Sequence, residues 1–211
     1  MLEMRMIRLA ALGSAAVLVL AGCGAPPPEP ADAPAEPAGP ASPVEPGAPV
    51  SAAMKLTAQG YGPLRIGMTR AEVVAALGDD ANPEAVGGPD PASCDEFRPQ
   101  RAPEGMLVMI ERDRLTRISL IGPSDVTTDR GYGVGDPGDG IAAAYGPEAM
   151  REPHKYEPAP AGYITVWSRG GGTGYVEDAD ARGLVFEVGQ DGAVKAIRAG
   201  GPSIQYVEGC A

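Results

Sequence analysis

One histidine, three cysteines, one tryptophan and two phenylalanines are all that 211 residues supply of those types. A site built from several imidazole or thiolate ligands is therefore excluded, and no Cys-x-x-Cys pair is present for zinc or thiol-redox chemistry. Basic side chains are also scarce, 17 against 28 acidic ones, for a net charge of -11. A nucleic-acid partner would want a basic footprint, so none is expected. No serine sits in a Gly-x-Ser-x-Gly elbow, and His154, in a Pro-rich loop beside Lys155, is placed by no motif as a general base. The stretch Gly133 to Gly140 is rich in glycine but lacks the Lys and Ser/Thr of a phosphate loop, and Asp136 and Asp139 would repel phosphate. Glu177, Asp178 and Asp180 cluster at a spacing that departs from the EF-hand loop and reads as solvated surface. The expectation is a chain without enzymatic activity, cofactor or metal.

What is abundant is glycine, 30 residues, and proline, 23. Their distribution divides the chain. At its start, Arg5 and Arg8 form a basic segment before an apolar run from Leu9 to Ala21 that is of signal-peptide length and too short for a membrane span. The run ends Leu20-Ala21-Gly22-Cys23. This resembles the lipobox of bacterial lipoproteins. The resemblance implies cleavage after residue 22, a diacylglyceryl thioether on Cys23 and an acylated amine, which together anchor a protein stably where one chain would not. Residue 24 is Gly rather than Asp. Under the sorting rule of enteric-type bacteria that resembles cargo for the outer membrane, facing the periplasm.

Residues 24–52 follow, with ten prolines, four acidic residues, no basic residue and only Val44 and Val50 as sizeable apolar side chains. Such a stretch buries too little surface to fold. Residues 23–53 thus read as lipid anchor and Pro/Ala-rich tether. A polyproline conformation would let the tether reach roughly 90 Å at full extension.

Residues 54–211 are long enough for one hydrophobic core, and they contain an internal echo. Ile66 to Gly78 reads IGMTRAEVVAALG, and Val134 to Gly146, 68 residues further on, reads VGDPGDGIAAAYG. Gly67 aligns with Gly135, Val73 with Ile141 and Gly78 with Gly146. Each copy is an apolar step, a glycine turn, an apolar-faced helix and a helix-ending glycine. Thr69 and Glu72 have capping-box spacing, with Val73, Val74 and Leu77 as the apolar stripe. Asp136 or Asp139 is expected to cap the second helix, with Ile141, Ala144 and Tyr145 buried.

Alternation predicts strands at Cys94–Phe97, Met106–Glu111 and Leu115–Ile121, the last two joined by a turn at residues 112–114. In the second strand of that hairpin, Leu115, Arg117, Ser119 and Ile121 should face one way and Thr116, Ile118 and Leu120 the other. In the second half, strands are expected at Tyr163–Ser168, Leu184–Val188 and Ala193–Ala199, with a last edge strand near Ile204–Val207. Residues 148–161 read as loop. Residues 170–183 read as an insertion that breaks the repeat without adding core. The fold class expected is α+β: two helix-plus-hairpin units, about residues 60–122 and 131–207, sharing one antiparallel sheet with the helices on one face.

IGMTRAEVVAALG, followed by the hairpin LVMIERDRLTRISLI, resembles the opening of the small outer-membrane lipoprotein assembly domain and of the tandem domain of beta-lactamase-inhibitory protein. Both groups place a Gly-Met-like turn before a short helix. The second copy departs from the signature, with Asp136 at the place of Met68 and Gly140 at that of Glu72. The resemblance implies a non-enzymatic domain that binds protein partners through a concave sheet.

With Cys23 lipidated, Cys94 and Cys210 are the remaining pair in a compartment that permits disulfides, and a bridge between them is expected. Tyr175 with Glu177, Asp178 and Asp180 is the candidate partner surface; Tyr163, Trp167 and Tyr206 are interface material as well, although the strand row Tyr163, Thr165, Trp167 reads better as core. The function expected is an envelope scaffold or assembly factor, tethered to the membrane through Cys23 and binding an envelope protein. The alternatives are an inhibitor of a periplasmic or foreign hydrolase, and a solute-binding or hydrolytic lipoprotein.

Overall fold

The computed structural model describes residues 54–85 and 87–210. The signal segment, Cys23 and the tether lie outside the described residues. Among the described residues the chain is α+β, mostly strands in two antiparallel sheets with two short helices.

The smaller sheet is a meander at the start of the domain, β1 (Leu56–Thr57), β2 (Gly60–Tyr61) and β3 (Leu64–Arg65). It was legible only as a short step at residues 64–66. Leu56, Tyr61 and Leu64 are nonetheless fully committed to the core.

The larger sheet has seven strands. In chain order they are β4 (Cys94–Phe97), β5 (Met106–Glu111), β6 (Arg114–Ile121), β7 (Ala149–Pro153), β8 (Gly162–Arg169), β9 (Arg182–Val188) and β10 (Val194–Gly200). In space the order is β4-β5-β6-β10-β9-β8-β7, antiparallel throughout. Helices α1 (Arg70–Leu77) and α2 (Gly138–Tyr145) put Val73, Leu77, Ile141 and Tyr145 into one cluster with Val108, Ile118, Ile164, Phe186 and Ile197. Both helices therefore cover the same face of the large sheet. Burial of these aliphatic side chains, at roughly 1.5–3 kcal/mol each, holds helices that are too short to stand alone.

The helix entrances follow parallel rules. Gly67 and Gly135 have φ of 97° and 94°, a region open to glycine and costly for other residues. Gly67 N–H donates to Leu115 O at 2.8 Å, and Gly135 N–H to Val194 O at 2.7 Å. In return Leu115 N–H donates to Met68 O, and Val194 N–H to Asp136 O. Thr69 caps α1 by accepting from Glu72 N–H, and Glu72 reaches back to Thr69 N–H, completing the capping box.

Several expectations are corrected. α2 begins at Pro137 with no side-chain cap; Asp136 instead accepts from Gly133 N–H, and Asp139 pairs with Arg151. Ala142, not Ala144, is the buried alanine of α2. The alternation assumed for β6 fails because the β5–β6 register shifts between Met109 and Ile110: Ile110 pairs with Leu115 but Met109 with Arg117. The bulged residue, Thr116, lets Leu115 join Ile118 and Leu120 in the helix-side core, while Arg117 and Ser119 face away. A second bulge at Lys195 does the same for β10. Residues 149–153 are a strand, β7, although their exposed polar sequence reads as loop; pairing with β8 holds them, with Ala149 against the core and Arg151 paired to Asp139 of α2. Residues 202–205 form a 3-10 turn with Pro202 at its start rather than a strand.

Candidate binding surface

The sheet face turned away from the helices has a different chemistry. Its floor is Glu96 on β4, Met109 on β5, Arg117 and Ser119 on β6, Arg198 on β10, Val185 and Glu187 on β9, and Tyr163, Thr165 and Trp167 on β8. Charges here are buried and paired. Arg117 donates from Nη2 to Glu96 Oε1 at 2.8 Å, with both side chains largely out of solvent. Burial pulls the Arg117 guanidinium down from the ordinary arginine range, against the pull of Glu96. Glu187 accepts from Arg198 and from Lys195 Nζ, the latter at 3.2 Å. Burial works against its charge, but Arg198 and the bonds from Lys195 and His154 outweigh that and hold its carboxyl below the usual range.

His154 belongs to this network. Its Nδ1 accepts from the N–H groups of Tyr156 and Glu157 at 3.1 and 3.0 Å. Nδ1 being an acceptor, Nε2 carries the proton and points at Glu187 Oε1, 3.4 Å away. The ring stacks on Tyr163 at 4.9 Å between centroids.

The C-terminal segment straps part of this face. Ile204 is fully buried against Tyr163, Val185, Trp167 and Val207. Arg117 Nη1 donates to the carbonyls of Ser203 and Tyr206 at 3.1 and 2.9 Å. The strap ends at Cys210, bridged to Cys94 with their Cα atoms 5.5 Å apart, within the normal disulfide range. Tyr206 is half-buried, and loss of solvent, with Glu111 nearby, pushes its hydroxyl up to about 12.

What the strap leaves open is a groove at the β7–β8 end. One part, about 370 Å³, is lined by Glu152, Tyr163, Thr165, Tyr175, Arg198 and Ile204 among others. The next, about 350 Å³, includes Met150, Trp167 and Thr173. Both parts share Glu152, Thr165, Gly174 and Gln205, so they adjoin.

The segment 170–181 forms one wall. Gln205 holds it by a reciprocal pair, Val176 N–H to Oε1 and Nε2 to Val176 O, each 2.9 Å. The glycines here have a steric role: a Cβ on Gly171 would fall 1.9 Å from Trp167 Cγ. Two expectations about this segment are corrected. Val176 and Ala181 are buried, so it does contribute to packing. Gly183 lies inside β9, opposite Trp167, and is no part of the insertion.

The four candidate surface residues thus separate. Tyr175 is 65% exposed and lines the groove. Asp178 and Asp180 close the segment's own turn: Asp178 accepts from Asp180 N–H, and Asp180 O accepts from Arg169 Nε at 2.8 Å. Glu177 is exposed outside the groove. Tyr163 and Thr165 are buried on the groove floor, and Trp167 is half-buried. Met150, Glu152 and Gln205 line the groove yet carried no motif, and the sequence of residues 149–153 holds no alternation that would have marked the first two. Among the described residues no group of three or more His, Cys, Asp or Glu is arranged to hold a metal ion. The chain matches no protein-family model, curated protein or solved structure with which it was compared.

Proposed function

We propose that this chain is a cell-envelope lipoprotein, anchored through Cys23 to the outer membrane and facing the periplasm, that acts non-catalytically as a protein-binding scaffold or assembly factor. In this reading residues 1–22 are the signal peptide, residues 23–53 carry the anchor and tether, and the domain is built from two helix-plus-hairpin units. The matched bonds Gly67–Leu115 and Gly135–Val194 support the two-unit organisation.

The observation that carries the functional reading is the groove on the helix-free face, with Tyr175 standing exposed on its rim. An exposed tyrosine beside a concavity lined by aromatic, apolar and arginine side chains is the usual composition of a protein-binding hot spot. The test is a photo-crosslinking residue at position 175 in the full-length, membrane-anchored protein, with the same residue at exposed Ala143 on the helix side as reference. A discrete envelope protein captured from 175 and not from 143 is the expected result. Equal labelling from both positions sinks the reading.

A second reading, inhibition of a hydrolase, draws on the segment 170–181. Gln205 and Arg169 hold it in place at Val176 and Asp180, so Tyr175 is presented on a pre-formed wall, and preorganisation of this kind favours tight inhibitors. If the captured partner is a hydrolase whose turnover stops on binding, this reading replaces the first.

A further inference from the structure

The two edges of the large sheet are treated differently. At β4, Glu96 N–H already donates to Gly87 O at 2.9 Å. A Cβ on Gly88 would lie 2.5 Å from Cys94 O, so the segment at residues 87–88 lies directly against this edge, and Cys94 is also tied to Cys210. The β4 edge is occupied by the chain's own backbone. At β7, no strand lies on the outer side among the described residues.

The register shows what β7 presents. Glu152 pairs with Tyr163 and Met150 with Thr165, and in the same register His154 N–H donates to Ala161 O. Main-chain groups alternate in direction along an antiparallel strand. Residues 150, 152 and 154 therefore direct theirs to β8, and Arg151 directs its N–H and C=O outward, with the carbonyls of Ala149 and Pro153. Ala149 N–H is turned back to Gly146 O, and proline has none. The edge offers a donor at Arg151 with acceptors on both sides of it.

A second copy of this chain is a poor occupant. Antiparallel self-pairing centred on Arg151 sets that arginine against itself, and the next register toward Pro153 sets Glu152 against Glu152; like charges opposite each other are unfavourable. The next register the other way, centred on Met150, sets Arg151 opposite Ala149, whose N–H is already turned back to Gly146 O. Pro153 removes a further donor. The groove side favours a different chain with positive charge. Met150 and Glu152 share a face with the Thr165 and Tyr163 they pair with, so an added strand would place alternate side chains beside them. Glu152 lines all three cavities around β7 and makes no ion pair among the described residues.

We propose that the β7 edge accepts an extended segment of a partner protein as an eighth strand, with a Lys or Arg of that segment set opposite Glu152 at the mouth of the groove. Main-chain bonds at Arg151 supply the pairing, and Glu152 supplies the preference. This rests on the reading of the helix-free face as a binding surface and names the partner's chemistry for it.

Two probes test it on the full-length protein: short peptides of alternating threonine and valine with a central lysine or a central glutamate. The lysine peptide should bind roughly fivefold to tenfold more tightly, the range expected for opposite against like charge across a strand pair, and should protect the Arg151 amide from exchange. Arg151→Pro removes the outward donor at an edge position where proline is tolerated and should abolish binding, while Arg151→Ala, which loses only the ion pair with Asp139, should retain it. Glu152→Lys should reverse the preference between the two peptides and does so independently of whether the proline variant folds. Peptide binding that leaves the Arg151 amide unprotected, no binding at all, or an unreversed preference in Glu152→Lys overturns the inference. So does a concentration-dependent dimer that protects that amide. If the protein captured through position 175 is captured equally by Arg151→Pro, the edge inference fails and the groove reading stands.

Discussion

Ser119 and Arg198 face each other at the seam where β6 meets β10, and the pairing is symmetric about them. Leu120 pairs with Ile197 on one side and Ile118 with Ala199 on the other. Counted from the docking residues Leu115 and Val194, Ile118 and Ile197 hold matching positions, and the bulges at Thr116 and Lys195 do too. Both isoleucines have no exposed surface. Ile118→Ala and Ile197→Ala should each cost about 2–5 kcal/mol, measured by urea unfolding of the domain. A cost near zero at either would mean that the seam is not part of the shared core.

Arg117 ties β6 to two other pieces of chain: the β4 edge through Glu96, and the strap through Ser203 O and Tyr206 O. Arg117→Ala leaves Glu96 without its partner in a poorly solvated place, and removal of one member of a buried pair costs about 3–5 kcal/mol. Proteolysis should then cut first between residues 201 and 210. Wild-type cleavage kinetics in the variant would show that Ile204 and the disulfide suffice to hold the strap.

The bridge from Cys94 to Cys210 spans 116 residues of sequence. Chain-entropy reasoning gives a loop of that length about 4–5 kcal/mol. Cys210→Ser, or the thiol-reduced protein, should lose stability of that order, and peptide mapping without reductant should recover one linked peptide. An unchanged melting temperature after confirmed reduction contradicts this.

Stability should fall in acid through Glu187. Its folded carboxyl sits below the ordinary 4.5, so the unfolded chain takes up the proton first. The contribution is complete above about pH 4.5 and is lost as pH falls through the lower folded value. Glu187→Gln should lower stability near neutrality and flatten that acid limb. An acid limb as steep as wild type would assign it to other carboxylates.

The lipobox reading predicts a mature protein beginning at Cys23, heavier than its sequence by the mass of its acyl groups. Intact-mass measurement on detergent-extracted protein checks it; a soluble species with a free thiol at Cys23 is the contrary result.

Local patterns made much of this fold readable. Thr69 with Glu72, the positive-φ glycines at 67 and 135, and the alternation in β5, β8 and β9 each act over a few residues, where sterics and main-chain bonding decide the outcome. The pairing of Cys94 with Cys210 was legible because only two cysteines remained once Cys23 was set aside. The groove was not legible. Met150 and Glu152 line it because β7 finds β8, and a short, exposed, polar strand ending in proline has no signal until its neighbour is known.

The amino-acid sequence by itself determined the α+β character, the positions of the two described helices and most strands, because these depend on composition and on contacts close in the chain. Tertiary structure alone decided the bulge that turns Leu115 into the core beside Ile118 and Leu120, the strap over the open face, the anchoring of Val176 by Gln205 and the contrast between a covered β4 edge and an open β7 edge. Each of these joins residues far apart in sequence, and which distant partner satisfies a buried charge or a main-chain donor is settled only when the whole sheet is assembled.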